Sequence, residues 1–436
     1  LNSKLDKINQ PVLDDSKIKV NQEVQDSIDS QESTLTGYTT YALFGIDHRD
    51  KNTALGGENS DTIIIASVNN DTKDVKLVSV YRDTLLNLGN DTYSKANAAY
   101  AYGEAEQAIT MLNTNLDLNI SEYATVNFNA LTTIIDDLGG LDMDMSYAEI
   151  VHMNNYCVET SEETGKDYTP IELPDRPDDI EAVQYHYHLN GVQATSYCRI
   201  RYTASLDMGR TERQRRVIQM IVDKAKKAGL STIFDIMDQV FPMVKTSVSK
   251  TEILKLIPAM IGYCIDETTG FPQDYKFATV KGSVIVPTTL DSNVLKLHQF
   301  LYGNTNYTPT QDVLNKSAQI AAIVGGGQVQ DTAPAVTDAP NTTTDDSYTW
   351  EGSTDTSADY SYDDTDYSNN TDYTDYGNDT SDDTDYSGGG DDSNTDYSGG
   401  GDDSGNDDSG AGDTGDDTSG GGDESGGDDA GGDAGG

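Results

Sequence analysis

The amino-acid sequence predicts an α/β fold, a mixed and largely antiparallel central sheet covered by helices on both faces, followed by a disordered acidic tail. Three observations carry this expectation. Three β-rich runs lie close together early in the chain, with a strong turn signal between the second and third. Amphipathic helical segments alternate with later, shorter β-rich runs, and composition changes abruptly after about residue 308.

Residues 1–37 are polar and lack a sustained period of two, so they read as a linker or stalk with room for a short helix. Tyr38 to Ile46, Thr62 to Val68 and Val75 to Val80 read as strands, the last two joined by Asn69, Asn70, Asp71 and Thr72. So short a connection implies antiparallel pairing. Ala101, Ala105, Ala108, Ile109, Leu112 and Leu116 recur at helical spacing within Asn97 to Leu116. Tyr123 to Phe128 reads as a strand, and Leu131 to Leu138 as a helix stopped by Gly139 and Gly140.

The polar stretch from His152 to Tyr187 contains three prolines and reads as an excursion with little regular structure. Tyr197 to Arg201 reads as extended, Thr211 to Lys227 as a helix with Val217, Ile218, Ile221, Val222 and Ala225 on its core face, and Leu230 to Tyr263 as further amphipathic helix. Asp274 to Val280 reads as a late strand. The expected domain therefore spans residues 38–308, with its chemistry in 38–229 and structural completion in 230–308; residues 309–436 are expected to lie outside the fold.

The chain has 436 residues and a formal net charge of −47. From Asp331 onward there are 31 acidic residues and no Lys or Arg, which leaves 44 acids against 28 bases before it. Such a tail repels itself and has too little apolar surface to offset its conformational entropy. Thr-Asp-Tyr recurs in it at 365, 371, 374, 384 and 395, without the regularly placed large apolar residue that a solenoid needs. The moderately acidic remainder does not suit nucleic acid, which calls for a positive surface. Cys157, Cys198 and Cys264 show no C-x-x-C spacing; two of them can pair in an exported chain, or all can be small buried hydrophobes. His48, His186 and His188 lack helical ligand spacing and read as ordinary surface or turn residues.

Antiparallel pairing of the first three strands brings Asp47, Arg49, Asp61, Arg82 and Asp83 to one rim of the sheet. Surface ion pairs would look the same, and they are worth little. Against that reading stand Arg199, Arg201, Arg210, Arg213, Arg215 and Arg216, six arginines within eighteen residues of an otherwise acidic chain. An extended segment points Arg199 and Arg201 to one face. Arg210 and Arg213 are expected at or just before the first turn of a helix, where the macrodipole disfavours cations unless an anion is shared. Arginine forks suit phosphate, and paired carboxylates beside phosphate suit Mg²⁺.

The runs LFGIDHR (43–49), SDTIIIASVN (60–69), VSVYRDT (78–84), KANAAYAYGE (95–104), DDLGGLDMDM (136–145), HLNGVQATSYCRIR (188–201) and DMGRTERQRR (207–216), in this order, resemble the LytR-CpsA-Psr family. The resemblance implies an extracytoplasmic, membrane-anchored enzyme of a Gram-positive-type bacterium, its anchor lying outside this chain. Such an enzyme transfers a glycopolymer, for example teichoic acid or capsule, from undecaprenyl diphosphate to peptidoglycan as a phosphodiester. Carried over by motif, Asp47 and Asp61 would hold Mg²⁺ or Mn²⁺. Arg82, Arg199, Arg201 and Arg213 would clamp the pyrophosphate, with Gln214 nearby, and Asp83 would serve as base or as a partner for Arg82. Arg49 and Arg210, from the rim and the helix terminus, and Lys95 and Asn97, from a family motif, complete the expected substrate contacts. Apolar faces of central strands and covering helices would line a groove for the polyprenyl chain. Two positions depart from the pattern: Asn59 stands where the family often has arginine, and Tyr81 where it usually has proline. A non-catalytic lipid-binding or scaffold protein of the same fold is the alternative class.

Overall fold

The computed structural model describes residues 5–330, apart from residues 12, 15, 48–56, 202, 204, 281, 326 and 327. After a short helix, α1 (Gln22–Asp29), come strands β1 (Tyr38–Ile46), β2 (Ser60–Asn69) and β3 (Asp74–Val80). Asn69 builds the turn between the last two: its side chain accepts from the N–H groups of Asp71 at 2.9 Å and Thr72 at 3.0 Å. β2 therefore pairs antiparallel with both neighbours, Ile64 facing Ser79 on β3 and Ile46 of β1 facing Ser60.

A hairpin of β4 (Leu85–Asn87) and β5 (Tyr93–Lys95) leads into helix α2 (Ala98–Leu116). Next come β6 (Glu122–Val126), α3 (Phe128–Asp137), β7 (Leu141–Ser146), α4 (Tyr147–Thr164), β8 (Val183–Leu189), α5 (Gly191–Tyr197) and α6 (Leu206–Lys227). The fold continues through α7 (Leu230–Val240), β9 (Lys245–Thr246), α8 (Lys250–Ala259), β10 (Cys264–Phe271), β11 (Tyr275–Thr279) and β12 (Ser283–Pro287), then α9 (Leu290–Tyr302) and α10 (Gln311–Gly325). The central sheet has the order β10-β3-β2-β1-β6-β9, with β6 parallel to β1 and β10 parallel to β3. It is the mixed sheet expected.

Alternation along β2 sends Ile63 and Ile65 to one face and Ile64 and Ala66 to the other. The first face, with Phe44 and Val78, packs on α2, α9 and α10; the second meets Ile218 of α6. Each fully buried aliphatic side chain contributes about 1.5–3 kcal/mol. A second core, built from α3 to α6 and the β7–β8 ribbon, holds Met143, Ile150, Met153, Tyr197 and Val217. Helices thus cover both faces.

Three stretches differ from expectation. Residues before Tyr38 are not a free stalk: Leu5 and Ile8 pack with Ile233 and Met237, and Val24 and Leu35 enter the main core. Residues 311–325 belong to the fold through Val313, Ile320 and Val324 on α10. Both segments are secured by the buried carboxylate of Asp117, which accepts from Asn21 Nδ2 at 2.6 Å, the Thr310 hydroxyl at 2.7 Å and the Thr310 N–H at 2.9 Å. The acidic tail from residue 331 lies outside the described residues.

The third is the excursion at 152–187, much of which is the end of α4 and the start of β8. A capping box starts α4, the Ser146 hydroxyl accepting from the Glu149 N–H and Glu149 accepting from the Ser146 N–H. Its buried face runs Ile150, Met153, Cys157, Thr160, Thr164, a helical spacing whose later positions are not obviously apolar. Cys157 and Cys198 are buried free thiols and Cys264 is an exposed one.

Candidate active site

The register of β1, β2 and β3 decides which side chains share the rim. Asp47 follows Ile46, which faces Ser60; Asp61 follows Ser60; and β3 ends at Val80, delivering Arg82 and Asp83 to the same side. Backbone bonds lock the connection, because Asn97 N–H donates to the Arg82 carbonyl at 3.0 Å and Ser60 N–H donates to the Asn97 carbonyl at 3.3 Å. Asn97 therefore shapes the rim through its main chain.

Three arginines from distant parts of the chain converge on Asp61. Arg82 Nη1 donates to its Oδ1, Arg201 Nη2 lies 3.9 Å from its Oδ2, and Arg210 Nη2 donates to its carbonyl oxygen at 3.3 Å. Burial opposes ionisation of Asp61, but the charges of Arg82, Arg210 and Arg201 hold its carboxyl below the usual range. Arg82 is buried too, yet Asp61 and Asp83 raise its pKa and keep it a cation. Lys95 Nζ sits 3.1 Å from Asp83 Oδ1, and burial lowers its pKa against the pull of that carboxylate.

α6 begins at Leu206, earlier than expected, so neither Arg213 nor the Arg210 cation stands at the helix terminus. The cation instead answers an acid that the sequence reading assigned no role: Asp207, one turn before it on α6, lies 2.7 Å from Arg210 Nη2. The Arg210 side chain is only 3% exposed, and burial depresses its pKa. Arg210 Nε and Asp207 Oδ2 are buried without a hydrogen-bond partner among the described residues. The cluster can thus still receive polar atoms of a ligand.

Two expected clamps are not in the cluster. Tyr197 closes α5, and the Arg199 and Ile200 N–H groups donate back to the carbonyls of Ser196 and Tyr197, so 197–201 is a turn and not an extended segment. Arg199 and Arg201 therefore diverge. Arg199 binds Glu159 at 2.7 Å and Glu163 at 3.2 Å on α4, with its guanidinium 4.6 Å from the centre of the Phe128 ring. Arg213 is likewise spoken for: it donates to Glu149 at 2.8 Å, the Ile200 carbonyl at 3.2 Å and the Thr203 hydroxyl at 2.7 Å. Gln214 donates to the Cys198 carbonyl at 3.4 Å. These residues fasten the strap that carries Arg201 to Asp61. The capping-box pattern at Ser146 and Glu149 was the available signal for Glu149, but nothing local pairs it with Arg213.

Arg49 and His48 lie outside the described residues. His186 and His188 face Asp144 and Asp142 across the exposed β7–β8 ribbon at 2.6 and 2.7 Å. Among the described residues no group of three or more His, Cys, Asp or Glu is placed to hold a metal by itself.

The second face of the sheet also carries an apolar groove of about 350 Å³, walled by Val68 and Val75 from the sheet, Ile233 and Met237 from α7, and Ile253 and Ile257 from α8. At about 3.3 Å per residue, Val68 stands roughly 23 Å along β2 from Asp61. The groove and the arginine cluster thus occupy opposite ends of the same strands.

The chain is 32% identical over 217 residues to the teichoic acid transferase TagU of Enterococcus faecalis, covering 49% of this chain and 63% of that protein. It is 25% identical over 263 residues to TagV of Bacillus subtilis, a polyisoprenyl-teichoic acid–peptidoglycan teichoic acid transferase, covering 57% of this chain and 61% of that one. The chain therefore spans about three-fifths of the length of these curated relatives. Among solved structures, the crystal structure of B. subtilis TagV superposes with a TM-score of 0.46 at 24% identity, covering 62% of this chain and 98% of that chain. TagT with bound octaprenyl pyrophosphate lipid gives 0.41 at 17% identity, covering 67% and 92%. A family model described as LytR_cpsA_psr matches residues 1–269, and the chain belongs to that family.

Proposed function

We propose that the protein is a phosphotransferase that moves a glycopolymer from a polyprenyl diphosphate carrier to peptidoglycan, forming a phosphodiester. The observation that carries this reading is the convergence of Arg82, Arg201 and Arg210 on one carboxylate, on the sheet that bears the apolar groove. The relatives named as teichoic acid transferases support it. In the reaction an acceptor hydroxyl attacks the phosphorus that bears the glycopolymer. The bond from that phosphorus to the bridging oxygen breaks, and polyprenyl phosphate leaves with both electrons of that bond.

The three guanidiniums would pass from Asp61 to the diphosphate and stabilise charge growing on its bridging oxygen. Asp83, held by Lys95, is assigned as the group that takes the acceptor's proton. Asp47 and Asp61 suit Mg²⁺ or Mn²⁺, because such an ion uses one or two carboxylates and takes its remaining ligands from phosphate and water. Asp47, Asp61, Asp83 and Asp207 match Arg82, Lys95, Arg201 and Arg210 in charge, so a bound diphosphate would leave an excess of negative charge. The metal would neutralise part of it.

The site of action is the outer face of the cytoplasmic membrane, where such a carrier and peptidoglycan meet. Among the described residues no helix is long and apolar enough to cross a membrane. The test is release of polyprenyl phosphate from a synthetic polyprenyl-diphosphate glycan with peptidoglycan fragments, with Mg²⁺ and after its chelation. Tight binding of the lipid with no release under any acceptor condition would replace the transferase by a lipid-binding protein.

A further inference from the structure

A second cavity, of about 200 Å³, opens where three distant parts of the chain meet: the segment before α1, the tip of the β4–β5 hairpin, and α10. α10 lies beyond residue 269, where the family match ends, so one wall comes from outside that match. Four charged side chains surround the opening, Lys19 and Lys316 against Asp91 and Asp312. None of the four forms an ion pair among the described residues, although Lys316 is half-buried. Burial lowers the Lys316 pKa against the pull of Asp312, Asp117 and Asp91, so the opposite charges feel one another without touching.

Two buried amides complete the lining. Asn21 is 3% exposed and donates from Nδ2 to the Thr114 carbonyl, Asp117 and Thr310, which leaves its Oδ1 without a partner among the described residues. Asn87 is 4% exposed and accepts at Oδ1 from the Gly89 N–H at 2.8 Å, which leaves its Nδ2 in the same condition. Buried polar atoms ordinarily have partners. Here one acceptor and one donor, both on buried side chains, meet a cavity rimmed by unpaired charges.

We propose that this cavity binds an amino-acid zwitterion, its carboxylate taken by Lys19 and Lys316, its ammonium by Asp91 and Asp312, and its remaining polar atoms by Asn21 Oδ1 and Asn87 Nδ2. Size and charge decide the class. Pockets for drug-sized ligands run to about 300–1,000 Å³, so this one suits a single amino-acid unit. A divalent cation would meet two ammoniums, and a phosphate two carboxylates; a ligand with both signs satisfies all four groups. A sugar ring would want an aromatic platform, and no aromatic side chain lines the cavity among the described residues.

Such a unit reaches the protein free in solution or as part of a peptide stem on peptidoglycan. Asn87 follows Asp83 by four residues, at most about 14 Å of extended chain, so a stem held here would keep an acceptor near the site of transfer. That role rests on the transferase reading; the binding itself does not.

Isothermal titration of the full chain with alanine, ethylamine and acetate tests the inference. The expected result is saturable binding of alanine, with ethylamine and acetate, which carry one charge each, at least about ten-fold weaker. Lys316→Met and Asp91→Asn should each weaken alanine binding about ten-fold and leave the melting temperature unchanged. A muropeptide with an intact stem, titrated beside the same glycan stripped of its stem, separates the two sources. Tighter binding of the muropeptide than of alanine assigns the cavity to the acceptor, and the reverse assigns it to a free amino acid; either supports the inference. No saturation by alanine or muropeptide up to about 10 mM overturns it, as do equal binding of ethylamine or acetate, binding of the stripped glycan in place of alanine, and variants that bind like wild type. A chain that binds alanine yet releases no polyprenyl phosphate counts against the transferase reading alone.

Discussion

Replacing Arg201 and Arg213 separately by alanine should divide the arginines into those that serve the substrate and those that hold the strap. The Arg213 side chain is 7% exposed and its partner Glu149 is 11% exposed. Arg213→Ala leaves that carboxylate buried without its cation, a change that costs about 3–5 kcal/mol. A domain of this size should then melt roughly 10 °C lower, at about 2–4 °C per kcal/mol. Arg201 is different: its side chain is 30% exposed and its contact with Asp61 is 3.9 Å. Arg201→Ala should change stability by less than about 1 kcal/mol. Losing one donor to transition-state charge should still slow transfer by about 10²–10³, or roughly 2.7–4 kcal/mol. Thermal melts and polyprenyl phosphate release, measured on both variants, check the division. An Arg213→Ala protein that melts like wild type and fails to transfer, beside a fully active Arg201→Ala protein, would refute it.

Two further outcomes follow from burial. His298 donates from Nε2 to the Leu116 carbonyl at 2.9 Å and stacks on Tyr307, and burial pushes its pKa down from 6.5 to about 4. A depressed histidine favours the unfolded chain once that chain protonates. Stability is therefore complete above about pH 6.5 and falls as pH drops toward 4, by about 3 kcal/mol in all; urea midpoints should show this for wild type and much less for His298→Gln. In the groove, Ile257→Glu should weaken use of a long polyprenyl donor while sparing a donor with a short lipid, read as KM against chain length. Equal effects on both donors would place the lipid elsewhere.

The rim was legible because its determinants are local. Asn69 makes the turn, the turn makes β2 and β3 antiparallel, and that alone brings Asp61 to Arg82. Arg199 and Arg213 were misplaced because their partners are remote. Glu149, Glu159 and Glu163 lie on a helix whose buried face includes Cys157, Thr160 and Thr164, so the polar pattern concealed both the helix and its acids. Reading 197–201 as extended compounded this, since a turn sends alternate side chains apart. The terminal segments were missed for a related reason: Leu5, Ile8, Val24 and Leu35 are isolated apolar residues that gain meaning only from surfaces made by residues as distant as Ile233 and Val324.

Asp117 changes what counts as the smallest working piece of this protein. One buried carboxylate at the end of α2 accepts from Asn21 and Thr310, so the two segments that sequence patterns would trim are fastened to the same point. A fragment cut at residues 38 and 308 would keep every rim residue, yet take the Asn21 and Thr310 donors from that charge and strip Val24, Val313 and Ile320 from the main core. The termini of the domain act together as a clasp across α2, the helix that follows Lys95 and Asn97, so the integrity of the chemistry depends on residues that carry none of it.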